Sequence, residues 1–162
     1  MGKVNATIAV MNYLNQVQNK TNLLIVNLGT AGSRKIKVGT LVEITEFYER
    51  DTSFRSIPIK IKPCTELPVG KCGTGDSIDM LSEDYSCNLS MIKQSEPPWD
   101  CLDMEAYALA KTCTLKNIPF VSIKYITDIS DSQVKVQWKE NLEKARVNLF
   151  HFWKDYIKNK SF

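Results

Sequence analysis

With 162 residues, the chain fits one domain, spanning 1–162, that can bury an ordinary core. Hydrophobic residues at 43% and charged residues at 24% exclude a disordered chain, and a net charge of +3 from scattered lysines gives no argument for nucleic acid. Cys64, Cys72, Cys87, Cys101 and Cys113 are odd in number and lack C-x-x-C spacing, which speaks against a disulfide framework or a zinc site. They read as free thiols of a reducing compartment. No apolar run approaches the ~20 residues of a membrane span, and no signal-peptide core opens the chain. The bulk numbers describe a cytoplasmic α/β domain.

In chain order, Val4 to Gln18 reads as a helix with Val4, Ile8 and Met11 on one face and Leu14 and Val17 extending it. Leu23 to Leu28 is nearly all apolar, as expected of a central parallel strand. It runs into Gly29-Thr30-Ala31-Gly32-Ser33, a glycine-bracketed turn that would let a ligand approach the main chain. Leu41 to Phe47 and Ile57 to Ile61 alternate as strands, with a loop or strand edge from Tyr48 to Ser56. Val69 to Thr74 is a further strand, and Gly75-Asp76-Ser77 a turn in which Asp76 bonds backbone amides. Leu81 to Asp100, with Pro97-Pro98, is expected to be irregular around one short helix.

From Asp103 to Asp131 the chain holds an acidic entry, a helix, a strand and an acidic exit. Ala106, Leu109, Ala110 and Cys113 form one helical stripe, which Asn117 and Pro119 end. Pro119 to Ile126 is an apolar strand interrupted by Ser122 and Lys124. Ligands in α/β folds gather beyond the carboxyl ends of strands. Asp128 lies just past one such end, and Glu105 lies where the short strand Cys101 to Met104 meets the helix. If the two strands are neighbours in a parallel sheet, both carboxylates face one crevice. Asp131 or Ser132 should cap a last helix to about Lys158, with the stripe Val134, Trp138, Leu142, Ala145, Leu149, Trp153 and Tyr156.

Each of these features also has a plain structural reading. Glycine turns are mostly only turns, Glu105 suits a helix start, and Asp128 could cap a backbone amide. His151, the single histidine, sits in an aromatic helix and reads as packed or exposed, and Trp138 and Trp153 read as core. No Ser/His/Asp or Cys/His arrangement stands out, which argues against acyl transfer.

The ordered set VNLGTAGS, KVGTLVE, GTGDS, DMEA and YITDISD, with the opening GKVNA, resembles the nucleoside phosphorylase/nucleosidase family over nearly the whole chain. More narrowly it is similar to the methylthioadenosine/S-adenosylhomocysteine nucleosidases. The resemblance implies a three-layer αβα fold around a central mixed sheet, truncated at its N-terminal side. It further implies hydrolysis of a purine nucleoside to release adenine, no cofactor, and homo-oligomers, dimeric or larger.

Residue by residue, Thr30, Ala31 and Gly32 match the floor of the nucleoside pocket, and Ile78 and Asp79 match a segment whose backbone meets the base edge. Met104 matches a methionine on sugar and base. Glu105 matches the glutamate that accepts hydrogen bonds from both ribose hydroxyls, a task suited to a carboxylate with two oxygens. Asp128 matches the aspartate that protonates the purine at N7 as the glycosidic bond breaks. Asn27 stands where related phosphorylases carry a phosphate-binding arginine, which favours water as acceptor. The family also has strands ahead of the Gly-Lys-Val-Asn segment, the first carrying a water-activating glutamate that no residue here matches. A strand edge left open by their loss could be covered by self-association. A nucleoside-binding protein without catalysis and a phosphorylase are the alternative functions.

Overall fold

Residues 2–52, 57–77 and 97–157 are described by the computed structural model of the chain. Their frame is a mixed sheet of β1 (Ile25–Gly32), β2 (Leu41–Glu49), β3 (Ile59–Lys60), β4 (Val69–Thr74), β5 (Cys101–Asp103) and β6 (Phe120–Asp128). The strand order is β3-β2-β4-β5-β1-β6, and β2 pairs with β6 as well, so five strands close on themselves. β1 runs parallel to β6 from Ile25 opposite Phe120 to Gly32 opposite Asp128, with a register shift between Ala31 and Gly32. β6 has a neighbour on both edges and is buried throughout. That explains its β-branched and aromatic content.

Helices cover both faces. α1 (Lys3–Gln16) packs on α2 (Ala106–Leu115), which lies on the sheet, while α3 (Val134–Phe152) crosses β6 and β1 from the other side. Alternation along β6 feeds both layers: Phe120 and Ile126 join the core with α2, Val121 and Ile123 the core with Phe152. Ala106, Leu109, Ala110 and Cys113 are buried as their helical spacing requires. α2 ends in a left-handed Asn117, φ 54°, with the Ile118 N–H donating to the Cys113 carbonyl at 2.9 Å and the Asn117 N–H to the Thr114 carbonyl at 3.2 Å. This is a Schellman closure, with asparagine in glycine's usual place.

The structure departs from the sequence reading at several points. α1 buries Leu14 and packs Ala6 and Val10 inward, whereas Val4 and Ile8 are 67% and 51% exposed; the inward stripe is the neighbouring one. Gly29 to Gly32 is not a turn but the second half of β1, held by pairing to Lys124, Tyr125, Ile126 and Asp128. Asp128 is correspondingly the last residue of β6 rather than a residue beyond it. β5 and β6 are not neighbours: β1 lies between them and meets β5 antiparallel at one pair, Gly32 opposite Leu102. Among the described residues, Ile25 to Ala31 have no strand on that edge. β2 is longer, through Glu49, and β3 shorter than the alternation suggested. α3 starts at Val134 with Gln133 as its cap residue, and Asp131 instead accepts the Gln133 N–H at 2.8 Å. It gives way to a wider turn, Trp153–Ile157. Most of Leu81 to Asp100 lies outside the described residues. Among the described residues no helix is long and apolar enough to cross a membrane. Among the described residues, Cys72, Cys101 and Cys113 are free thiols.

Candidate active site

The carboxyl ends of β1, β5 and β6 converge on Gly32, which pairs with Leu102 on one side and Asp128 on the other. A cavity of about 440 Å³ opens there, a volume suited to a small organic ligand. Thr30, Ala31, Gly32, Met104, Glu105 and Asp128 all line it, so six sequence-derived site residues come together although they arise from three elements. Ile78 and Asp79 lie outside the described residues.

Asp128 is 3% exposed, and each of its oxygens has a local donor. Oδ1 accepts the Ser130 N–H at 3.0 Å and Oδ2 accepts the Thr127 hydroxyl at 2.8 Å. A Cβ on Gly32 would overlap both the Asp128 carboxylate and the Ser130 hydroxyl, so glycine is what lets the strand pass this close. Opposite, Glu105 is the residue before α2, in the N-cap position, and its side chain makes no capping hydrogen bond. Its Oε1 accepts the Gly2 N–H at 2.8 Å, while Oε2 takes no hydrogen bond among the described residues. Asp76 steadies the same corner by accepting the Lys3 N–H at 2.9 Å, the amide-binding role read for it from sequence.

Beneath the carboxylates lies a buried ion pair. Lys124 Nζ is 2.7 Å from Asp103 Oδ2, with side-chain exposures of 2% and 1%. Asp103 also accepts the Thr74 hydroxyl at 2.6 Å and the Ala106 N–H at 2.9 Å, and Thr74 accepts the Tyr107 N–H at 2.9 Å. The pair therefore fixes the start of α2, and Glu105 with it. Burial alone would raise the Asp103 pKa; the Lys124 ammonium and these donors outweigh it and hold the carboxyl below its ordinary value. Burial would likewise lower Lys124, but the charge of Asp103 keeps it above its usual range. Both groups are thus charged at neutral pH. Gly29 lies under the Lys124 side chain, where a Cβ would come within 3.1 Å of Nζ.

Sequence reasoning missed three contributors. Trp138, read as core, is 37% exposed, lines the cavity and donates from Nε1 to the Thr30 hydroxyl at 3.1 Å. Its apolar helical spacing could not distinguish a core stripe from a cavity wall. Trp153 lies with Leu24, Val26, Leu28, Leu149 and Phe150 along a separate apolar groove. The Asp103–Lys124 pair had one signal, a lysine inside an apolar strand, which must find a partner if buried. His151 is exposed. Asn27 accepts the Ser122 hydroxyl at 2.9 Å and brings no cation to the site. Among the described residues no cluster of three or more His, Cys, Asp or Glu side chains is placed to hold a metal ion.

Comparison with known proteins gives one consistent result. The chain is 27% identical to a 5'-methylthioadenosine/S-adenosylhomocysteine nucleosidase of Buchnera aphidicola over 98% of its own length and 77% of that protein's. A Halalkalibacterium halodurans nucleosidase of the same name is 26% identical over 91% and 73%. The fold matches a Helicobacter pylori nucleosidase variant solved with 5'-methylthioadenosine, at a TM-score of 0.78 and 18% identity over 99% of this chain and 78% of that one. A futalosine hydrolase of Helicobacter pylori shares it at 0.75 and 17%, over 99% and 77%. The phosphorylase superfamily profile matches residues 62–158, more than half of the chain, and the chain belongs to the phosphorylase superfamily.

Proposed function

We propose that the chain is a purine nucleosidase that hydrolyses the N-glycosidic bond of 5'-methylthioadenosine or S-adenosylhomocysteine and releases adenine. The observation that carries this reading is the meeting of Glu105 and Asp128 on one cavity, from opposite sides of Gly32. The names of the sequence relatives support the same chemistry.

In this mechanism Glu105 accepts hydrogen bonds from the ribose hydroxyls, with Oε2 the first oxygen available to them. Asp128 is the group that passes a proton to purine N7, which turns the base into a leaving group. The sugar develops oxocarbenium character as the bond lengthens, and the charge of Glu105 opposes that positive charge. Trp138 and Val134 form an apolar wall of the cavity. Asn27, tied to Ser122, brings no cation at the position where related phosphorylases carry an arginine, and water is the acceptor in this reading.

The test is product analysis after incubation with a panel of purine nucleosides differing at the 5' carbon, with and without phosphate. Free adenine and free sugar, formed without phosphate, are expected. A sugar 1-phosphate would make the chain a phosphorylase, and tight binding with all nucleoside recovered intact would make it a binding protein.

A further inference from the structure

Ser130 is a residue of the site whose presence the reaction above does not explain. It is 4% exposed, lines the cavity, and its hydroxyl oxygen has no hydrogen-bond partner. A buried hydroxyl without a partner loses its water without compensation, so such groups are uncommon in folded proteins. Ser130 is also held at φ 53°, in the left-handed region that side-chain-bearing residues avoid. Its backbone has a reason to be there, because the Ser130 N–H holds Asp128 Oδ1 at 3.0 Å. Glycine would meet that need without strain. The hydroxyl is therefore an added feature, unpartnered and beside the candidate acid: it and Asp128 Oδ1 crowd the same point above Gly32.

We propose that Ser130 is a base-recognition residue, its hydroxyl hydrogen-bonding the exocyclic group at C6 of the purine. This inference rests on the nucleosidase reading, in which Asp128 meets N7. On the purine edge N7 is flanked by C8–H, which makes no ordinary hydrogen bond, and by the substituent on C6. A hydroxyl next to Asp128 has only the second as a polar partner. Because a hydroxyl both donates and accepts, it serves a 6-amino group as acceptor and a 6-oxo group as donor. The site would then hold both adenine and hypoxanthine, where a carboxylate alone would repel the 6-oxo oxygen.

The experiment is calorimetric titration of the chain and of Ser130→Ala with three bases: adenine, hypoxanthine and unsubstituted purine, which carries only hydrogen at C6. Loss of one neutral hydrogen bond should weaken adenine and hypoxanthine about three- to tenfold and leave unsubstituted purine unchanged. Ser130→Gly, which removes the hydroxyl and the left-handed strain together, should give the same pattern, so a folding defect in one variant cannot imitate it. Equal weakening of all three bases, or no weakening of any, overturns the assignment of Ser130 while leaving the nucleosidase reading intact. A wild-type chain that binds none of the bases and no purine nucleoside overturns that reading, and this inference with it.

Discussion

Replacing Lys124 by Met tests the buried pair most directly, because it removes the ammonium and keeps most of the apolar stem. Asp103 would then remain buried with two donors, the Thr74 hydroxyl at 2.6 Å and the Ala106 N–H at 2.9 Å. Removing one partner of a buried pair costs about 3–5 kcal/mol. The two surviving donors place this case at the low end, about 3 kcal/mol, or roughly 150-fold in the ratio of folded to unfolded chain. Denaturant unfolding followed over pH reads both the size and the cause. In the wild type Asp103 titrates below its ordinary 3.8. Its contribution is complete above that value and drains as pH falls through the lower folded-state pKa. Lys124 titrates above 10.5, so its contribution is complete below that pH and is lost as pH rises through the higher folded-state pKa. In the variant, burial acts on Asp103 without the ammonium and the folded state prefers the protonated acid. Stability then rises as pH falls toward 3.8, so the gap to wild type closes on acidification. Adding Asp103→Asn to the variant should recover part of the loss at neutral pH. A Lys124→Met chain within about 1 kcal/mol of wild type, with the same pH dependence, would refute a buried ionised pair, since only exposed pairs are worth so little.

Glu105→Gln keeps an oxygen for the Gly2 N–H but loses the charge on the ribose side; nucleoside binding should weaken by about 1.5–3 kcal/mol, with free adenine little changed in the same titration. Asp128→Asn retains a hydrogen-bonding group and loses the proton, so turnover measured by adenine release should fall about 10²- to 10⁴-fold and binding far less. Gly32→Ala should cost about 1–3 kcal/mol in unfolding experiments, and turnover should fall with it, because the new methyl displaces Asp128 and Ser130 together.

That Glu105 and Asp128 border one cavity was legible in the sequence, because a carboxylate at a strand-to-helix junction and another at a strand end carry local patterns, although β1, and not a direct pairing of β5 with β6, brings them together. Val69–Thr74 is a strand with the bounds read from sequence. What failed were features set by neighbours distant in sequence. Glycine at 29 and 32 signals a turn, yet here it makes room for Lys124 and for the Asp128–Ser130 corner, so the strand continues. α1 carries two adjacent apolar stripes, and only its packing on α2 decides that Ala6, Val10 and Leu14 go inward. Trp138 follows the apolar spacing of α3 but meets Thr30 across a cavity, a contact spanning 108 positions that no local window contains.

Closure of the sheet has a consequence for how anything enters the cavity. β6 is hydrogen-bonded to β1 along its whole length and to β2 through Tyr125, Lys124 and Ile123. Its amides should exchange with solvent only when the whole molecule opens. Separating the strands that carry the site is therefore not a low-energy route inward. The cavity is also bordered by Val134, Lys135, Trp138 and Lys139 on the first turns of α3, outside that closed sheet. A helix end opens at far lower cost than a strand paired on both edges, so the α3 wall of the cavity yields before the β6 wall does.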